Sequence, residues 1–136
     1  MKILALDIGD KWTGSAISDA LGILARPYKT VATSELELFL SETIGSENIQ
    51  IIIVGYPKTM RGTESEQTKK VEEMKNKLEK VFDAVEWQLW DERLSSKRAA
   101  GIKKAQTKED KKMSHSIAAA FILDSYLTFV QAKKGL

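Results

Sequence analysis

The chain has no cysteine in 136 residues, so disulfides and thiolate metal sites are excluded, and a reducing cytoplasm is the expected compartment. It has one histidine, His115, and two prolines, Pro27 and Pro57. The start, MKILALDIGDK, reaches Asp7 too soon for a secretory signal. The most apolar unbroken run, Ile117 to Leu123, falls short of the roughly 20 residues that cross a bilayer. A soluble protein with no membrane partner is expected. Nor is there an excess of one charge: 21 basic against 19 acidic side chains give a net +2, which excludes binding nucleic acid by bulk positive charge.

What is present fits one ordinary domain over residues 1–136, with 43% hydrophobic and 29% charged residues. The charge is unevenly placed. Lys97, Arg98, Lys103, Lys104, Lys108, Lys111 and Lys112 meet only Glu109 and Asp110, so residues 97–112 carry +5 and the rest of the chain −3. Such a stretch is either a solvated helix and loop or a surface for phosphate. Gly101 and the polar residues 106–112 suggest a flap.

The nearly continuous apolar run Lys2 to Ile8 predicts a central strand buried on both faces. Gly9, Trp12 and Gly14 predict a turn, and Gly14 to Ser18 a returning antiparallel strand. A third strand is expected near Leu24 to Val31, placed at a sheet edge because Pro27 lacks a ladder donor. Ser34 with Glu37 has capping-box spacing before a helical stripe of Leu36, Phe39, Leu40 and Ile44. Ile49 to Val54 reads as a buried strand. Thr63 and Glu66 offer a second capping box before a face of Val71, Met74, Leu78 and Val81. Val85 to Trp90 reads as a strand, Ser95 or Ser96 as the cap of a short helix, and Ser114 to Ala132 as a final buried helix. The fold class is α/β, a five-stranded mixed sheet with helices on both faces.

Sites in open sheets lie at the carboxyl ends of the parallel strands. Asp7 ends the first strand, where a carboxylate is either a turn cap or part of a site. Asp91, Glu92 and Arg93 follow the last strand, as a surface ion pair or as ligands. His115 opens the final helix, as a packing residue or as a metal ligand near a helix N-terminus. Two carboxylates and a histidine at element ends can hold a divalent metal. Asp10, Asp19 and Asp124 read as turn or surface residues, and Trp12, Tyr56 and Trp90 as packing aromatics or base-stacking ones. There is no P-loop, dinucleotide fingerprint, HExxH or nucleophile elbow.

Four segments together resemble the YqgF family, RuvC-like members of the ribonuclease H superfamily. They are Asp7-Ile8-Gly9 with Lys11, Gly14, Ala16 and Ser18-Asp19; Val54-Gly55-Tyr56-Pro57 with Gly62-Thr63-Glu64; Asp91-Glu92-Arg93-Leu94-Ser95-Ser96; and Ala118-Ala119, Ile122-Leu123 and Tyr126-Leu127. The resemblance implies a ribonuclease H-like fold and a nuclease acting on structured nucleic acid, either a Holliday-junction resolvase or a nuclease maturing pre-16S rRNA. It implies Asp7 and Glu92 as catalytic acids and divalent metal, magnesium or manganese, as cofactor. The family's third acid stands three residues before the paired alanines, where this chain has His115. A nitrogen donor there shifts preference towards manganese. Trp12 stands where the family commonly has a basic residue.

Lys11, Arg93 and the basic segment are the expected contacts to nucleic acid, rRNA precursor or branched DNA, with ribosomal particles as a possible setting. Either a monomer or a weak homodimer is compatible. Two other readings compete. One is an RNA-binding or ribosome-assembly module without catalysis, suggested by His115. The other is an actin-like phosphotransferase, suggested by Asp7-x-Gly9 and Gly14 but lacking a second such hairpin.

Overall fold

The computed structural model describes residues 2–56, 66–91 and 108–134, with side chains of the last segment described over 113–133. Strand β1 (Lys2–Ile8) turns into β2 (Trp12–Ser18), and β3 (Ala25–Ala32) returns beside it. A 3-10 turn (Thr33–Glu35) leads into α1 (Leu36–Ser46). Then follow β4 (Ile49–Tyr56), α2 (Glu66–Val81), β5 (Glu86–Asp91) and α3 (Lys108–Lys134). The sheet order is β3-β2-β1-β4-β5, antiparallel across β1, β2 and β3 and parallel from β1 through β4 to β5. β1 is the middle strand, which is why it is apolar on both faces.

Strand alternation sends Leu4, Leu6 and Ile8 to one face and Ile3, Ala5 and Asp7 to the other. The first set packs with Leu36, Leu40, Val71 and Leu78 of α1 and α2. Ile3 and Ala5 pack with Ala119, Ile122, Leu123, Tyr126 and Leu127 of α3. Burying side chains such as Leu123 and Leu127 stabilises by about 1.5–3 kcal/mol each as an upper bound. Among the described residues, one helical stretch, Met113–Lys133, is long and apolar enough to cross a bilayer by length and composition. In the fold its apolar side docks on the sheet, so the short run 117–123 understates the helix's apolar length.

β3 lies at the edge, as Pro27 requires. The β2–β3 register shifts between Gly14 and Ala16, next to the Ala16–Pro27 pair. The Ser15 hydroxyl bridges the gap, accepting from the Lys29 N–H at 3.0 Å and donating to the Lys29 carbonyl at 2.6 Å.

Several local expectations change. Trp12 and Gly14 belong to β2, so the turn is tighter than expected and spans 9–11. The Ser34–Glu37 capping box does not form: a 3-10 turn precedes α1, whose start has no side-chain cap hydrogen bond. Val81 is exposed at the end of α2, although Val71 and Leu78 are buried. α3 begins at Lys108, so residues 108–112 are helical and not flap. Thr63 and the expected helix after Ser95 lie outside the described residues.

Asp19 is a turn residue. Its Oδ1 accepts the N–H groups of Ile23 at 2.7 Å and Leu24 at 3.1 Å. These backbone donors hold its pKa below the usual carboxylate value. A depressed acid stabilises above its unfolded pKa, and that contribution is lost as pH falls through the folded one. Hydrogen exchange at Ile23 and Leu24, corrected for intrinsic rates, should therefore lose protection below the normal aspartate range. Asp19→Asn should remove that acid dependence.

Candidate active site

Asp7 shares its sheet face with Ile3 and Ala5, the face covered by α3. It pairs in register with Gly14 of β2. Gly14 has no side chain, and the backbone of α3 occupies the space. A Cβ built on Gly14 would stand 2.1 Å from the carbonyl carbon of His115 and 2.5 Å from the nitrogen of Ser116. That approach sets His115 beside the strand end, with its Nδ1 3.8 Å from Asp7 Oδ2. Its Cε1 lies 3.8 Å from the Cβ position of Gly9. The separation from Asp7 is too long for a hydrogen bond. Both groups stay open to solvent, 23% exposed for the Asp7 side chain and 34% for His115.

Hydroxyls hold this corner. Thr30 Oγ1 and Ser116 Oγ hydrogen-bond across the β3–α3 contact, beside His115. On the opposite, Ile8 side of the same strand end, Thr33 Oγ1 donates to the Gly9 carbonyl at 2.7 Å and meets Thr13 Oγ1 at 2.9 Å. The Thr33 N–H donates to the Lys11 carbonyl, tying the 9–11 turn to the end of β3. None of Gly14, Thr30, Thr33 and Ser116 is among the expected site residues. The available signal is an isolated glycine inside a strand, which marks close approach of another backbone.

Of the expected residues, Asp7 and His115 come together, and Lys11 lies exposed in the adjoining turn. Glu92, Arg93, Lys97, Arg98, Lys103 and Lys104 lie outside the described residues. Asp91 ends β5, opposite Tyr56. Positions 108, 111, 112 and 115 follow helical spacing along one face of α3. His115 is two turns inside that helix, so the helix N-terminus does not act on it directly, contrary to its expected place at the helix start. Asp10 belongs elsewhere, 3.5 Å from Lys70 of α2.

An imidazole nitrogen and a carboxylate oxygen fit two positions around a divalent metal of the manganese type. Among the described residues no group of three or more His, Asp or Glu side chains forms such a site. The described residues bring together two such groups, Asp7 and His115.

A five-stranded mixed sheet in this order, with helices on both faces, is the RuvC-like form of the ribonuclease H-type fold. RuvC of Thermus thermophilus bound to a Holliday junction superposes with a TM-score of 0.64 at 15% identity, covering 97% of this chain and 96% of that one. RuvC of the same organism in another structure gives 0.57 at 14% identity, over 96% and 97%. The sequence is more specific. Residues 1–129 match the family described as RuvX, Holliday junction resolvase, and the chain belongs to that family. A relative from Rubrobacter xylanophilus is 35% identical over 93% of this chain and 91% of its own. One from Caldicellulosiruptor bescii is 36% identical over 95% and 97%. Both are provisionally named pre-16S rRNA nucleases. The family is one of nuclease hydrolases, and nucleases of the RuvC-like kind use divalent metal.

Proposed function

We propose that this chain is a metal-dependent nuclease that hydrolyses phosphodiester bonds in structured RNA and matures the precursor of 16S rRNA. The observation that carries this reading is the Asp7–His115 pair, brought to 3.8 Å at the carboxyl end of β1. The names of the full-length relatives favour precursor rRNA over junction DNA. Asp7 and His115, with Glu92, would hold the metal, which when bound supplies Lewis-acid polarisation of phosphate and an activated water. Asp7 contributes negative charge and a rigid oxygen from the middle strand. His115 would contribute a nitrogen donor from a backbone position set by the seating of α3 on Gly14.

The test is cleavage of precursor 16S rRNA and of junction DNA in magnesium and in manganese, beside the Asp7→Asn variant. Cleavage of the RNA by wild type, and its loss in the variant, is expected. Preferential junction cleavage would move the substrate to branched DNA. Tight RNA binding without cleavage in either metal would make the chain a binding module.

His115→Asp restores an acid at the position the family resemblance gives to its third carboxylate. The ratio of magnesium- to manganese-supported rates should rise, by about tenfold for a 1.4 kcal/mol change in ligand preference. An unchanged ratio would remove His115 from the metal.

The basic stretch 97–112 should bind phosphate. Its last part, 108–112, belongs to the same helix as His115. In a quadruple Lys103, Lys104, Lys111, Lys112 to alanine variant, the log–log salt slope of duplex binding should flatten by about 0.9 per lost contact. An unchanged slope would refute that role.

A further inference from the structure

The Asp7–His115 pair occupies one face of the sheet; on the other face, below the same strand end, lies a cavity of about 330 Å³. That volume falls in the range of small-ligand sites. Its floor is Ile8, Val71 and Met74, and the Gln67 amide borders it while donating a long 3.5 Å hydrogen bond to the Ile8 carbonyl. Two lysines and two acids, Lys70, Lys77, Asp10 and Glu73, stand around it and cancel in charge. An apolar floor inside a charge-neutral rim disfavours a free phosphate and suits a flat heteroaromatic ring with polar edges.

The cavity and the candidate active site are one residue apart. Asp7 points to the α3 face and Ile8 to the cavity. Gly9 borders both: it lines the cavity, and its Cβ position is 3.8 Å from the His115 ring. A strand crossing the end of β1 with a phosphate at Asp7 would carry a neighbouring base over Gly9.

The geometry points to a base-binding subsite: an unpaired nucleobase of the substrate strand inserts against Ile8, Val71 and Met74, with its edge read by Gln67. This rests on the nuclease reading and deepens it. Extruding a base from a duplex costs a few kcal/mol, whereas a single-stranded one is already unstacked. The enzyme should therefore prefer cleavage next to unpaired nucleotides.

The test uses wild-type protein with chelator, so that nothing is cut, and single-stranded oligoribonucleotides in which one abasic position is moved along the strand. Anisotropy should show a five- to tenfold loss of affinity at one position and little elsewhere, the scale of one stacked base. Met74→Trp, which fills the cavity, and Gln67→Ala, on the partly exposed wall, should each reduce that penalty while circular dichroism stays unchanged. Equal affinity at every abasic position, or no binding of any oligonucleotide, would overturn the subsite. So would a penalty unaltered in both variants. If adenosine monophosphate saturates the cavity without competing with the strand, a free nucleotide is its occupant and the proposal fails. Cleavage by wild type in manganese, run in parallel, separates the two readings. An abasic penalty without cleavage removes only the hydrolytic reading, and cleavage without a penalty removes only the subsite.

Discussion

Gly14→Ala should abolish cleavage and lower the melting temperature by several degrees. The added methyl would sit 2.1 Å from the carbonyl carbon of His115, 2.2 Å from its oxygen and 2.5 Å from the Ser116 nitrogen. All three are backbone atoms, so no change of rotamer relieves the clash. Either α3 lifts from the sheet or β2 bends away from it. Overpacking of this kind costs about 1–3 kcal/mol. Lifting α3 also loosens Ala119, Ile122 and Leu123 from Ile3 and Ala5. The functional loss is larger, because a misplacement of about 1 Å can cost 100-fold. Thermal unfolding and single-turnover cleavage measure the two effects together. A folded variant that cleaves within a few-fold of wild type would show that the register of α3 against β2 is irrelevant to the chemistry.

Asp7→Asn should separate what Gly14→Ala combines. The substitution keeps the size and shape of the side chain, and Asp7 is partly exposed, so the fold has little reason to respond. What goes is the negative charge that would hold a cation. Metal stabilisation of the transition state is worth several kcal/mol. A loss of about 4 kcal/mol corresponds to roughly 1000-fold in rate. The melting temperature should stay within a degree or so of wild type, and nucleic-acid affinity should hold or rise, since one repulsive charge near phosphate is gone. Full manganese-dependent cleavage by this variant would sink the assignment of Asp7.

The architecture is legible in the sequence because strand and helix write different periods. Lys2 to Ile8 and Ile49 to Val54 are almost continuously apolar, broken only by Lys2, Asp7 and Gln50, as short strands buried on both faces are. Pro27 marks the edge because it cannot donate to a ladder. The start of α3 is less legible. Lys108 to Lys112 is polar enough to read as loop, yet it continues the helix whose packed part lies further on, so the helix runs past the residues that stabilise it. The capping box at Ser34 fails for a related reason: side-chain spacing is necessary for a cap, but backbone geometry decides, and the chain leaves β3 through a 3-10 turn.

At the site, the residue types are legible and the distance is not. Asp7 and His115 stand far apart in sequence, and only the register Asp7–Gly14, with the helix backbone seated on Gly14, brings them to 3.8 Å. Alternation within β1 also decides that Ile8 borders a cavity while Asp7 faces a histidine, a division that depends on which helix covers which face. Thr30 and Ser116 offer no signal, because hydroxyls at such positions are ordinary on a strand and a helix.

The rim strand β3 bears on how the protein behaves in a crowded solution. An open strand can recruit a neighbour's strand and seed a fibre or precipitate. This one carries a proline, a register shift beside it and exposed charges at Arg26 and Lys29, the features that discourage such growth. On this side of the sheet, chains have little means to polymerise through their backbones; the opposite edge, β5, carries no proline.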